Sequence, residues 1–234
     1  LKIIIFVPTY GHQIYSQTAV SLVALTKELA DRQIFGGCNA LSFPDIEELR
    51  NVMLSIWYDG TDATHMLMVD SDMQFEPALI GDMLLADVPL IGCIYPTKRL
   101  PSTWVGSALT PEAQPKDGLL ELEGIGCGVM LIRRDCVDQM IASGNVDIQT
   151  DKTNSAMFNL MPKQCSRVIK AFTKTANDEG RELSEDFALC YRHRKSGGKV
   201  YAAIAHRITH LGVYPFSGKY SDMFEAKPMD EAAE

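Results

Sequence analysis

An α/β fold with a mainly parallel central sheet flanked by helices is predicted by three features of this 234-residue chain. Short apolar runs, among them Lys2–Val7, Met66–Val69, Val88–Tyr95, Val129–Ile132 and Lys199–Ile204, alternate with stretches of helical periodicity. Several of these runs break abruptly into polar tips, as strands do at the ligand-facing edge of an open sheet. No internal repeat, heptad or low-complexity block competes with that alternation. The length suits one core and no linker divides it, so a single domain is expected over residues 1–222, followed by an acidic tail over 223–234.

The elements follow in order. Lys2–Val7 is a buried strand ending at the turn-rich tip Pro8-Thr9-Tyr10-Gly11. From Ser16 to Asp31, Leu22, Leu25 and Leu29 recur at helical spacing while Lys27, Glu28 and Asp31 are polar. Ile34–Ala40 is a second strand. Pro44, then Asp45, Glu47 and Glu48, start a helix with Ile46, Leu49 and Met53 on one face; Arg50 and Asn51 ride on it. Pro77 opens a helix carrying Ile80, Met83 and Leu84. Val88–Tyr95 is a strand running into the polar tip Pro96-Thr97-Lys98-Arg99. Leu100–Gly118 is a loop with one short strand around Trp104, and the alternating Leu119–Glu123 is an edge strand. Gly124-Ile125-Gly126-Cys127-Gly128 then allows either close approach of a ligand or a tight bulge. After the strand Val129–Ile132, Asp135 caps a helix ending near Gly144. Residues 145–182 are polar and poorly periodic, which marks a mobile loop or lid. Ser184 caps a helix reaching about Lys195, with Phe187, Cys190 and Tyr191 as its apolar face and Gly197-Gly198 as its end. Lys199–Ile204 is the last strand, and HRITHLG follows it.

A composition of 46% hydrophobic and 22% charged residues is that of an ordinary globular protein. The formal net charge of -8 gives no overall attraction to nucleic-acid phosphate or anionic lipid. A local basic groove built from Arg192, Arg194, Lys195 and Lys199 leaves a nucleic-acid acceptor open. Six cysteines are scattered without a C-x-x-C, which fits a reducing, cytoplasmic setting. The opening IIIFV is too short for a span and lacks the basic lead and cleavage site of a signal peptide, and no later run reaches spanning length, so no transmembrane segment is expected. The chain has no phosphate-loop, zinc-protease or nucleophile-elbow motif, and the glycine run is not followed by a helix as a dinucleotide fingerprint would be.

The most informative stretch is His65–Pro77, HMLMVDSDMQFEP, where an apolar strand breaks into Asp70-Ser71-Asp72. Asp and Ser favour turns, and Glu76-Pro77 opens the next helix, so a plain turn accounts for the residue types. Two carboxylates at a strand end also suit a hard divalent cation whose remaining positions go to phosphate oxygens and water. Three further features accompany them: Ser184-Glu185-Asp186 at a helix start, His210 in THLG, and the polar tip after the first strand.

In order and spacing, VPTYG, LRN, VDSDMQFEP, IGCIYPTKR, GIGCGVMLIRR, SEDFALCYRHRKSGG and THLG resemble the GT-A glycosyltransferases of the family 2 type. The resemblance implies a single-domain GT-A fold and transfer of a sugar, with inversion, from a UDP- or GDP-type donor to a hydroxyl of a glycan or small molecule. It implies that Asp70 and Asp72 form the Asp-x-Asp motif and that His210 joins them around Mn²⁺ or Mg²⁺, with Ser71 beside the donor. It makes Asp186 the base and Glu185 the alternative, and puts Pro8, Thr9, Tyr10, Arg50 and Asn51 around the nucleotide. Lys98, Arg99 and Lys219 are candidate phosphate contacts. Two rivals stand beside this: a nucleotidyltransferase, which would release pyrophosphate, and a non-catalytic protein that binds sugar nucleotides or glycans.

Overall fold

Side chains alternate across the first strand, and that alternation sets the layers of the molecule. Ile3, Ile5 and Val7 enter one core while Ile4 and Phe6 enter the other, so the strand is buried along its whole length. The structure, a computed structural model, describes residues 1–110, 112–151 and 156–224. The part of the expected acidic tail beyond Phe224 lies outside the described residues.

The first half of the chain gives β1 (Ile3–Thr9), α1 (Ser16–Asp31), β2 (Phe35–Ser42), α2 (Ile46–Gly60), β3 (His65–Val69), β4 (Met73–Gln74) and α3 (Ala78–Leu85). Then come β5 (Leu90–Cys93), β6 (Tyr95–Pro96), β7 (Trp104–Val105), β8 (Ser107–Ala108), β9 (Leu119–Gly124), β10 (Val129–Arg133) and α4 (Arg134–Ala142). The last part holds β11 (Ile148–Gln149), β12 (Val168–Ile169), β13 (Thr175–Ala176), β14 (Glu182–Leu183), α5 (Glu185–Lys195), β15 (Val200–Ala203), β16 (Arg207–His210) and β17 (Phe216–Lys219).

The main sheet has eight strands in the order β2-β1-β3-β10-β5-β15-β9-β8. All but β9 and β10 run in one direction, so the mixed α/β architecture with a mainly parallel sheet is present, with two opposed strands inserted. Residues of α1 and α3 fill one core, and those of α2, α4 and α5 fill the other. Among the described residues no helix is long and apolar enough to cross a membrane.

Several local expectations are corrected. Pro8 and Thr9 belong to β1 and pair with Leu41 and Ser42, so the exposed tip begins only at Tyr10. Leu119–Gly124 is not at the edge, because the short β8 lies outside it. Asp135 is in the first turn of α4 rather than at its cap, and Arg133 grips its carboxylate at 2.9 and 2.7 Å. The inward face of α5 carries Ala188, Leu189, Cys190, Arg192 and His193, while Tyr191 turns outward to Asp178. Residues 145–182 are not a lid throughout: Val168, Ile169, Ala171 and Phe172 sit in the core against α2. Short strands of this kind carry too few residues to show a period. Side chains of α2 hold them, with Ser55 Oγ accepting from Ile169 N–H at 2.8 Å and Asn51 Oδ1 from Phe172 N–H at 2.7 Å.

The glycine run around Gly126 is explained by ring packing. A Cβ at Gly126 would lie 2.2 Å from Tyr95 Oη, and one at Gly128 2.5 Å from Tyr95 Cε1. Gly198 is excluded from substitution in the same way, since a Cβ there would come within 2.1 Å of His193 Cε1. His193 is fully buried, and burial lowers its pKa below the usual histidine value. In acid the unfolded chain takes up a proton that the folded chain refuses, so stability is lost as pH falls below about 6.5, at up to about 1.4 kcal/mol per pH unit for this group. Urea denaturation from pH 7 to pH 5 should show that slope reduced in His193→Gln; an unchanged slope would remove the assignment.

Candidate active site

β3 runs out at Val69, and the chain reverses over Asp70-Ser71-Asp72 into β4. The backbone N–H of Asp70 donates to Gly128 O at 2.9 Å, which ties the turn to the start of β10. β4 pairs antiparallel with β16, Met73 lying opposite His210, and Leu211 N–H donates to Asp72 O at 2.7 Å. This pairing brings together residues that are remote in sequence: His210 Nε2 lies 3.6 Å from Asp72 Oδ2.

The ring of His210 is held in one orientation. Its Nδ1 is 3.0 Å from Pro96 O, and because a carbonyl only accepts, Nδ1 carries the proton and donates. In the neutral ring Nε2 is then a lone pair facing the Asp72 carboxylate. Tyr95 packs edge-on against the same ring at a centroid separation of 5.2 Å. Asp72 Oδ1 is buried without a hydrogen-bond partner, while Oδ2 accepts from Lys98 Nζ at 2.5 Å. Burial alone would raise the Asp72 carboxyl, yet a His210 ring protonated on both nitrogens, together with the Lys98 ammonium, holds it below its usual value.

A carboxylate with one orphaned oxygen and the other 3.6 Å from an imidazole nitrogen, the second ring nitrogen being fixed by a backbone carbonyl, is a donor set that fits a divalent cation. It is a pair of ligands and not a completed seat: among the described residues no group of three His, Cys, Asp or Glu side chains is gathered for a metal. Asp70, expected as the third member, is turned to Arg50 instead, whose Nη2 donates to Asp70 Oδ1 at 2.7 Å.

Arg50 is therefore not an open nucleotide contact. It is 4% exposed, and its other terminal nitrogen, Nη1, donates to Glu185 Oε1 at 2.5 Å. The guanidinium thus joins the end of β3 to the start of α5. Burial raises the Asp70 carboxyl against the pull of Arg50. Asp186, the next residue on α5, lies near enough to Asp70 and Arg50 for their charges to interact. Its Oδ1 accepts from Ser184 Oγ and from Phe187 N–H, the latter at 2.9 Å, so the Ser184 hydroxyl serves Asp186 and makes no side-chain cap to the helix.

The remaining candidates divide. Tyr10 is 77% exposed at the tip of β1, Ser71 lies in the acidic turn with its carbonyl accepting from Tyr15 N–H at 2.9 Å, and Arg99 is exposed beside Lys98. Thr9 Oγ1 donates to Leu41 O at 3.1 Å. Asn51 is fully buried, bonded to Phe172 and Thr173, and so does not face a nucleotide. Lys219 stands opposite Arg207, rather than His210, across the β16–β17 pair and takes Asp222 at 3.0 Å. The basic groove is absent in the form expected: Arg192 is buried against Ala171 O, and Arg194, Lys195 and Lys199 pair with Glu123, Asp178 and Glu121. One feature was missed, a cleft of about 300 Å³ behind Pro96, lined by Leu100, Ser102, Trp104, Tyr214 and Phe216 among others. Its aromatics come from β7, from the β16–β17 connection and from the start of β17, and nothing in their spacing announces them.

No protein-family model matches the chain, and no curated protein matches it. Solved structures do. A197 from STIV is similar at a TM-score of 0.52 and 15% identity, over 91% of this chain and 86% of that one. GalNAc-T7 with UDP, GalNAc and Mn²⁺ aligns at 0.48 and 10% identity, over 100% of this chain and 46% of that one. A mutant Drosophila β1,4-galactosyltransferase 7 with manganese, UDP-Gal and xylobiose aligns at 0.44 and 14%, over 99% and 78%. At these identities the likeness to A197 is one of fold, and the two weaker alignments add no argument to it.

Proposed function

We propose that this protein is a metal-dependent, inverting glycosyltransferase that moves a sugar from a UDP- or GDP-type donor to a hydroxyl of a glycan or small molecule. The observation that carries the reading is the meeting of Asp72 and His210 at the mouth of the sheet: Asp72 Oδ2 lies 3.6 Å from His210 Nε2, Asp72 Oδ1 is buried without a partner, and the other ring nitrogen is held by Pro96 O. Asp72 and His210 would hold the cation, and the imidazole favours Mn²⁺ over Mg²⁺. When bound, such an ion offsets the charge that develops on a departing nucleoside diphosphate.

The chain's own groups supply the rest. Asp70 is kept in place by Arg50 at the inner end of the turn. Tyr10 offers an exposed ring on which a base can stack, and Lys98 and Arg99 offer cations to the diphosphate. Glu185 is bound to Arg50, which leaves Asp186 to take the proton from the acceptor hydroxyl, with Ser184 orienting the carboxylate. The acceptor seat is the cleft of Trp104, Tyr214 and Phe216, whose rings suit the apolar face of a sugar and whose Ser102 and Ser217 suit its hydroxyls.

The test is incubation with a panel of nucleotide sugars and Mn²⁺, with nucleoside diphosphate as the measured product. Slow release without acceptor, accelerated by added glycans, is expected, and Asp186→Asn should lower the accelerated rate by about 10²–10⁴-fold. Pyrophosphate released from a nucleoside triphosphate would instead make the protein a nucleotidyltransferase. Thermal stabilisation by a donor without any turnover would make it a binding protein.

A further inference from the structure

We propose that Lys98 is a built-in counter-ion that occupies the cation seat at Asp72 until a diphosphate draws it away, which makes metal and donor binding mutually dependent. The proposal rests on the metal-dependent reading above and adds an order to it.

The ammonium of Lys98 is 2.5 Å from Asp72 Oδ2, the same oxygen that lies 3.6 Å from His210 Nε2. A divalent ion shared by Asp72 and His210 must therefore compete with a positive charge already placed there. The backbone carrying Lys98 is fixed: Thr97 N–H donates to Thr103 O at 2.7 Å, Thr103 N–H to Thr97 Oγ1 at 3.0 Å, and Ser102 Oγ to Thr97 O at 3.0 Å. The side chain is not fixed in the same way. It is 33% exposed, its ammonium also lies 5.9 Å from the centre of the exposed Tyr15 ring, and its stem passes over Gly212, where a Cβ would meet Lys98 Cδ at 3.3 Å. Four flexible carbons on a rigid loop let the charge leave Asp72 for a phosphate oxygen without moving the backbone.

The consequence is a coupling between two ligands. Metal binding alone must break the Lys98–Asp72 pair. With a nucleoside diphosphate present, the ammonium is already on phosphate, and that cost disappears from metal binding.

The experiment is Mn²⁺ titration followed by electron paramagnetic resonance on the full chain, alone and with saturating UDP or GDP. Lys98→Met should bind Mn²⁺ alone up to about fivefold more tightly than the wild type, the size expected for release of one charge pair that is one-third exposed. The gain in Mn²⁺ affinity on adding the diphosphate should shrink by the same factor. Lys98→Arg, which keeps the charge, should retain the wild-type pattern. Equal or weaker donor-free Mn²⁺ binding by Lys98→Met, or Lys98→Arg behaving as Lys98→Met, overturns the counter-ion role while leaving the metal site standing. Absence of Mn²⁺ binding by every protein, with and without UDP and GDP, overturns the metal-dependent reading and the proposal with it.

Discussion

Asp72→Asn is expected to lower nucleoside diphosphate release by about a thousandfold, the effect of removing roughly 4 kcal/mol of transition-state charge stabilisation. The fold should hardly notice. Asn keeps the shape of the side chain, the lost Lys98 partner is one-third exposed, and a pair of that kind is worth about 1 kcal/mol at most. A carboxylate whose second oxygen is buried without a partner is not what a fold needs, so activity and stability should separate cleanly. Steady-state product release and urea denaturation on the same preparation measure both. Wild-type release by the variant, or a stability loss as large as that of a core substitution, would assign Asp72 to the scaffold.

The reverse separation is expected at Arg50. Arg50→Met leaves Asp70 and Glu185 facing each other's charge in a site from which their cation has been removed, and breaking a buried pair from one side costs about 3–5 kcal/mol. Loss of the bridge also frees the start of α5 from the end of β3, so Asp186 loses its position as the protein loses stability. Arg50→Lys should recover only part, because one ammonium cannot span two carboxylates as the planar fork does. Adding Asp70→Asn and Glu185→Gln to Arg50→Met should restore most of the stability without restoring product release. A loss under about 1 kcal/mol in Arg50→Met alone would mean that solvent already screens these charges.

The sheet and helices were legible because their signals are long and periodic. Ser16–Asp31 is helical over the span expected, and Leu22, Leu25 and Leu29 are its buried apolar residues. The antiparallel course of β10 was not legible, since a fully buried strand reads the same in either direction. In the site, the acidic turn could be placed from the break after Val69, and His210 from the THLG that follows the last main-sheet strand. Which carboxylate each cation takes could not. Arg50 and Asn51 are adjacent on one helix, yet Arg50 reaches Asp70 and Glu185 while Asn51 turns to the backbone of Phe172. That choice depends on the side of α2 against which residues 168–173 settle, and their two-residue strands and side-chain-to-backbone bonds leave no pattern in the sequence. The Trp104–Tyr214–Phe216 cleft is likewise assembled from two short strands and a loop that are distant in sequence and ordinary in composition.

Diffraction at the manganese absorption edge, from crystals grown with Mn²⁺ and a nucleoside diphosphate, addresses the site most directly. One anomalous peak should lie in bonding contact with a carboxylate oxygen of Asp72, with Nε2 of His210 and with the diphosphate, and the ammonium of Lys98 should have left Asp72 for a phosphate oxygen. A nucleotide bound between Tyr10 and the acidic turn with manganese on other residues, or with no manganese and Lys98 still on Asp72, would contradict it.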